Sequence, residues 1–178
     1  MARQLLFPGF EKLKVKDFGG SLIKGNAREP RPISVQRPIH LVMRSSLATG
    51  ELSFLRARRP RLIHELVHRL GRAHGVKIYR FANSGNHLHF IIRPVSRKAF
   101  LRFIRAITGL IARITLGVER GRAKNLKFWD ARPFTRILEW GKDYRTSANY
   151  VLQNQLEALG FIPFQPRGAR RMSSTAPP

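Results

Sequence analysis

Two periodicities of apolar residues, one of two and one of about 3.6, take turns along this chain, and their order leaves few folds open. Over Pro38 to Arg44 the period is two: Ile39, Leu41 and Met43 fall on one side of an extended strand, and His40, Val42 and Arg44 on the other. A polar loop then runs to Pro60, which suits the first turn of a helix. Leu62, Ile63, Leu66, Val67 and Leu70 form that helix's apolar stripe, and Gly75 ends it. Val76 to Ala82 and His87 to Arg93 read as two strands joined by the turn Asn83-Ser84-Gly85-Asn86. After Pro94 and Ser96, a second helix is predicted from Phe100, Phe103, Ile104, Ile107, Leu110, Ile111 and Ile114, with Gly117 as its stop. A charged loop follows over 119–127. Phe128 to Leu138 supplies an aromatic loop and a short fourth strand. The last helix, 143–159, offers Tyr144, Ala148, Val151, Leu152 and Leu159 for packing before Gly160.

Strand, helix, strand, strand, helix, strand, helix is the split βαβ order. It predicts an α+β fold: a ferredoxin-like or RRM-like antiparallel four-stranded sheet with two helices on one face. The first and third strands are then neighbours, and the opposite face carries His40, His87 and His89. The C-terminal helix, which bears Tyr150, can cover that face. Before this unit, residues 1–36 form a basic, turn-rich arm, expected to lie on the domain or its ligand. Residues 37–160 make the domain, and 161–178 a basic Ser/Pro/Arg-rich tail, expected to be mobile unless bound.

The chain carries 34 Lys+Arg against 10 Asp+Glu, a formal net charge of +24 on 178 residues. Such a field attracts polyanions and makes affinity for them fall steeply with salt. Charge alone does not separate an enzyme acting on nucleic acid from a coat protein that only binds it. The absence of cysteine excludes a disulfide scaffold, a thiol nucleophile and thiolate zinc sites. The longest apolar stretch, Phe100 to Leu116, is interrupted by Arg102, Arg105 and Arg113, and the N-terminal apolar run is too short for a signal peptide. A cytoplasmic, nucleoid-associated protein without membrane partners is the expectation.

Chemistry concentrates in two places. His87 and His89 are one residue apart in an apolar strand, so they project side by side while Leu88, Phe90 and Ile92 face the other way. That is half of a metal site. Tyr150 and Asn154 are four apart, on one helical face, and can supply a nucleophile and a third ligand. The competing structural explanations are two histidines hydrogen-bonded beneath a loop and a tyrosine packed on the sheet. Of the other tyrosines, Tyr79 lies in the hairpin and Tyr144 begins the last helix, and neither has an amide one turn on. His40 shares the histidine face and reads as a supporting hydrogen-bond partner. Arg97, Lys98, Arg102 and Arg105 on the second helix could track phosphates, as could Arg44, Arg132 and Arg136. Trp129, with Phe128 and Phe134, could stack on bases or pack in the core. Asp130 is expected to pair with Arg132 or Arg136 in its loop. His64, His68 and His74 lack a third acidic partner and read as surface or capping residues.

These pieces resemble the single-tyrosine HUH transposases of the insertion-sequence type, most closely the REP-associated tyrosine transposases. The matching segments are His87-Leu88-His89, Phe128-Trp129-Asp130 with Arg132-Pro133-Phe134, and Asn149-Tyr150-Val151-Leu152-Gln153-Asn154. The likeness spans roughly 33–161. It implies nicking and rejoining of single-stranded DNA near hairpins or palindromic repeats, with Tyr150 forming a 5′-phosphotyrosine and leaving a 3′-hydroxyl. His87, His89 and Asn154 would hold one divalent cation, Mg or Mn. Asparagine in place of the glutamine of many insertion-sequence relatives points to the REP-associated group. Two imidazoles and an amide carry no formal charge, so weak binding by the free protein is expected, with DNA phosphate completing the site. The resemblance leaves open a monomer or a homodimer that exchanges the tyrosine helix. The alternative is a catalytically inactive or domesticated single-stranded nucleic-acid-binding module. A plasmid relaxase or replication initiator is disfavoured because those chains are usually larger.

Overall fold

A computed structural model describes residues 17–22, 29–118 and 126–164. The elements are β1 (Asp17–Phe18), β2 (Ile39–Arg44), α1 (Arg59–His74), β3 (Val76–Asn83), β4 (His87–Pro94), α2 (Arg97–Leu116), β5 (Phe134–Ile137) and α3 (Lys142–Ala158). Single 3₁₀ turns lie at Gly20–Leu22 and Gly50–Leu52. The five strands form one antiparallel sheet in the order β1-β5-β2-β4-β3. The first long strand, β2, thus lies between β4 and β5 at the centre, which brings His40 and His89 to neighbouring strands.

The expectation of four strands is corrected by β1. Asp17 pairs with Arg136 and Phe18 with Thr135, extending the sheet beyond β5. The sequence around Asp17 has no alternating run, because a two-residue strand needs none. It is held by contacts made elsewhere. The Arg31 guanidinium lies 4.4 Å from the centroid of the Phe18 ring and donates to the Pro133 carbonyl and to Thr135 Oγ1, both at 2.7 Å. Part of the arm is therefore built into the sheet; residues 1–16 and 23–28, the loop 119–125, and the tail from 165 onward lie outside the described residues.

Helices α1 and α2 cover one face. Ile39, Leu41 and Met43 of β2 and Leu88, Phe90 and Ile92 of β4 meet Ile63, Leu66 and Val67 of α1 and Phe100, Phe103 and Ile107 of α2 in the main core. Both helices end as the sequence indicates, at Gly75 (φ 66°) and Gly117 (φ 61°), in the left-handed conformation that glycine adopts without steric cost. Ser96 caps α2 by accepting from the Ala99 amide at 3.1 Å.

Four packing assignments change. Leu62, Leu152 and Leu159 are exposed rather than packed, and Phe54, in the loop read as polar, is fully buried against Phe128 and Trp129. In β3 a bulge places Tyr79 and Arg80 opposite Ile91, which reverses the strand's parity. Val76 and Ile78 before it, and Phe81 after it, all reach the main core, while Ala82 turns to the opposite face. Among the described residues no helix is long and apolar enough to cross a membrane.

Phe54→Ala should cost about 3–5 kcal/mol in urea unfolding, as expected for a large buried aromatic. Leu62→Ala on the exposed side of α1 should stay within about 0.5 kcal/mol, and comparable losses for the two would contradict this packing.

Candidate active site

The second face of the sheet is covered by α3 over a small apolar seam. Ala148 and Val151 bury against Ala82, Ile91 and Leu138. At the N-terminal end of α3, Tyr144 packs with Tyr79 and Trp140, at ring separations of 6.0 and 5.2 Å. Asp143 accepts from the Glu139 amide at 3.0 Å and from Arg136 at 3.3 Å. These contacts set the rotation of α3, and with it the direction of Tyr150.

Tyr150 comes to rest over the histidines. Its ring stands edge-on to His89 (centroids 5.5 Å, 85°) and to His40 (6.0 Å, 77°). His87 and His89 lie 4.8 Å apart, as alternate residues of one strand must. Asn154 is buried, 4 % exposed, and its amide nitrogen donates to the Tyr150 carbonyl at 2.6 Å. That bond engages the amide nitrogen with the helix's own backbone. Among the described residues no three His, Asp or Glu side chains gather as a metal site.

Hydrogen bonds constrain the imidazoles. His87 Nδ1 lies 2.6 Å from Asn86 Oδ1. An amide oxygen only accepts, so in this contact His87 donates from Nδ1. His89 Nδ1 lies 3.3 Å from His40 Nε2, with the rings nearly parallel at 17°. Burial first, and Arg136 second, hold the His40 pKa down at about 4, against a small opposing pull from Asp143. His40 is therefore neutral at neutral pH, and its Nε2 can accept a hydrogen bond from His89 Nδ1–H. This is the pattern in which the second ring nitrogen of a metal-ligating histidine is held by a neighbour.

Two cavities flank this cluster. One, of about 720 Å³, is bordered by His40, His89 and Tyr150, by Val42 and Phe134 of the sheet, and by Gly20 and Ser21 of the arm. The other, of about 170 Å³, brings together His87, Asn154, Ser84 and Glu157. Asn86, Glu157, Gly20 and Ser21 went unassigned in the sequence, whereas Phe134, read there as a base-stacking or core residue, borders the larger cavity. Glu157 had a readable signal, standing seven residues after Tyr150 on the same helical face.

The basic and aromatic candidates divide. Arg44 and Arg132 border the larger cavity, and Arg136 stands on β5 between Asp17 (4.0 Å) and Asp143 (3.3 Å). Arg97, Lys98, Arg102 and Arg105 belong to α2, which packs on the sheet face away from Tyr150, so the structure does not bring them to the site. Trp129 packs against Phe54 and Phe128 and donates to the Thr108 carbonyl at 3.1 Å, a core position rather than a platform beside the tyrosine. Asp130 pairs with Arg44 at 3.5 Å and accepts from the Ser46 amide and hydroxyl at 2.7 and 2.8 Å. The expected partners Arg132 and Arg136 were the nearer ones in sequence, but the fold places the end of β2 closer. His64 and His68 form a pair on α1, 4.6 Å apart, on the other side of the sheet.

Neither a family model nor a curated protein matches the chain. Among solved structures it is similar to a REP-associated tyrosine transposase bound to a REP hairpin, at 16% identity and a TM-score of 0.57, over 77% of this chain and 76% of that one. The chain has the fold of a REP-associated tyrosine transposase. It is also similar to a proposed transposase from Deinococcus radiodurans R1, at 12% identity and a TM-score of 0.41, over 75% of this chain and 98% of that one. On the transposase fold, then, this chain sets a tyrosine above two histidines, with an amide one helical turn on.

The Asn86 contact puts a proton on His87 Nδ1, which long-range ¹H–¹⁵N correlation spectra of the labelled protein should display. Asn86→Ala should weaken that Nδ1–H signal, and its absence from the unmutated protein would contradict the hydrogen bond.

Proposed function

We propose that the chain is a metal-dependent transposase that nicks and rejoins single-stranded DNA near hairpins or palindromic repeats, through a 5′-phosphotyrosine. The observation that carries this reading is the phenol of Tyr150 standing edge-on to His89 and His40, 5.5 and 6.0 Å away, on the helix-poor face of a strongly basic domain. A tyrosine with an ordinary pKa of about 10 is mostly protonated at neutral pH and needs help as a nucleophile.

The donor set fits a divalent cation. His87 and His89 would ligate through Nε2, with Nδ1 held by Asn86 and His40, and Asn154 through Oδ1. When bound, Mg²⁺ or Mn²⁺ would polarise the scissile phosphate and offset the charge that develops in the transition state. Tyr150 Oη would attack phosphorus as its phenolic proton leaves; the new P–O bond forms as the bond to the 3′ oxygen breaks, and that oxygen takes up one proton in net exchange, giving a 3′-hydroxyl that can reverse the step. The α3 helix fixes the distance between nucleophile and imidazoles, so their approach is settled before DNA arrives. Arg44 and Arg132, at the rim of the cavity beside Tyr150, are placed to position backbone phosphates. The hairpin in the similar transposase suggests the same class of DNA for this chain.

Incubation with labelled single-stranded hairpin DNA and Mn²⁺ should give a covalent adduct on a denaturing gel. Tyr150→Phe and chelation by EDTA should each abolish it, and His87→Ala should lower it by about 10²-fold or more while leaving DNA binding intact. An adduct that persists in Tyr150→Phe removes the nucleophile. Binding without cleavage across many hairpins would make the chain a single-stranded nucleic-acid-binding module instead.

A further inference from the structure

We propose that the cavity beside Tyr150 is a pocket for the base of one unpaired DNA nucleotide, stacked on Phe134 and closed by Gly20 and Ser21 of the N-terminal strap. This deepens the DNA-cleavage reading and rests on it.

The floor of the cavity is a piece of sheet surface. Val42 and Phe134 are paired in register across β2 and β5, and both border the cavity, so a partly buried aromatic ring stands beside an aliphatic one on an open β-surface. Such a ring accepts any base by stacking, without reading its edge. The rim carries two guanidiniums, Arg44 and Arg132, and one carboxylate, Asp130, which pairs with Arg44 at 3.5 Å, so its formal balance is one positive charge. An apolar floor with a rim of net positive charge matches a nucleotide, whose flat base is apolar on its faces and whose phosphate is an anion. At about 720 Å³ the cavity falls in the range of roughly 300–1,000 Å³ typical of small-ligand pockets. Tyr150 forms another part of its border, so a nucleotide whose phosphate meets the phenol would carry its base towards Phe134.

The outer wall comes from the arm, and the fold spends several contacts on holding it there. The Gly20 amide donates to the Arg132 carbonyl at 2.9 Å, one residue before Pro133. Gly19 crosses Pro133 so closely, at φ 87°, that a Cβ there would collide with the proline carbonyl. Arg31 pins the strap from behind through Phe18, Pro133 and Thr135. Its pKa is lowered to about 10 by burial and by Arg132, so it remains a cation at neutral pH. A segment held only to lengthen the sheet needs the β1 pairs alone. The turn after them, with Ser21 exposed at its tip, instead lines the cavity, where the hydroxyl and backbone can meet a base edge.

The test uses the full chain in EDTA, so that binding is read without chemistry. A hairpin with single-stranded flanks, chosen by wild-type binding from a pool with random flanks, has its flank nucleotides replaced one at a time by abasic sites. Affinities are measured by fluorescence anisotropy. One position is expected to weaken wild-type binding by about tenfold or more. Phe134→Ala should weaken the intact DNA by a similar factor and lose nothing further at that position. Ser21→Trp adds bulk at an exposed site, so it fills the pocket without disturbing the core, and it should show the same coupling if Phe134→Ala proves unstable.

Wild-type affinity for intact DNA in both variants, or penalties that multiply at every position, would overturn the pocket. Equal coupling on an RNA of the same sequence would overturn its assignment to DNA. The two readings fail separately: an adduct on Tyr150 without the coupling removes only the pocket, and coupling without any adduct removes only the cleavage step.

Discussion

The site depends on a narrow apolar seam. Among the described residues, Ala148 and Val151 on α3, set against Ala82, Ile91 and Leu138, make up the buried apolar cluster on the second face of the sheet. Each large aliphatic residue in it contributes on the order of 1.5–3 kcal/mol, while the main core on the opposite face holds most of the molecule's buried side chains. Asymmetry of this kind assigns different work to the two faces. The α1/α2 side fixes the sheet, and the sheet then offers a stiff surface on which histidines keep their spacing. The α3 side holds Tyr150 with little apolar burial, so polar side chains surround the seam.

Because the seam is small, polar contacts at the ends of α3 matter more than their number suggests. Arg136 reaches both Asp17 of β1 and Asp143 of α3, so the edge strand and the tyrosine helix share one guanidinium. These are half-exposed pairs, each worth little alone. Their effect is directional: they set the azimuth of α3 while Tyr79, Trp140 and Tyr144 pack at its beginning. The same economy appears at the histidines, where one asparagine and one buried imidazole each engage an Nδ1, of His87 and His89 respectively.

Much of the site was legible before any coordinates. Strand parity placed His40, His87 and His89 on one face, because side chains alternate whatever the strand packs against. Helical spacing placed Asn154 one turn from Tyr150, and glycines marked the ends of α1 and α2. Legibility failed where a residue's role is settled by a distant segment. Asp130 pairs with Arg44 rather than its loop neighbours, Trp129 is drawn into the core by Phe54 and Thr108, and the basic stripe of α2 lies on the far side from Tyr150. The bulge in β3 shifts its parity at Tyr79 and Arg80, a change that no periodic reading anticipates.

The amino-acid order alone set what depends on neighbours along the chain: alternation, helical period, stops, net charge and the pairing of a phenol with an amide. Those follow from backbone geometry, which repeats regardless of context. Tertiary structure decided which faces meet. It put α3 over the histidines, joined a two-residue strand from the arm to the sheet edge, and enclosed a cavity between segments more than a hundred residues apart. Such contacts are selected by the free energy of the whole packed chain, to which local sequence contributes only a share.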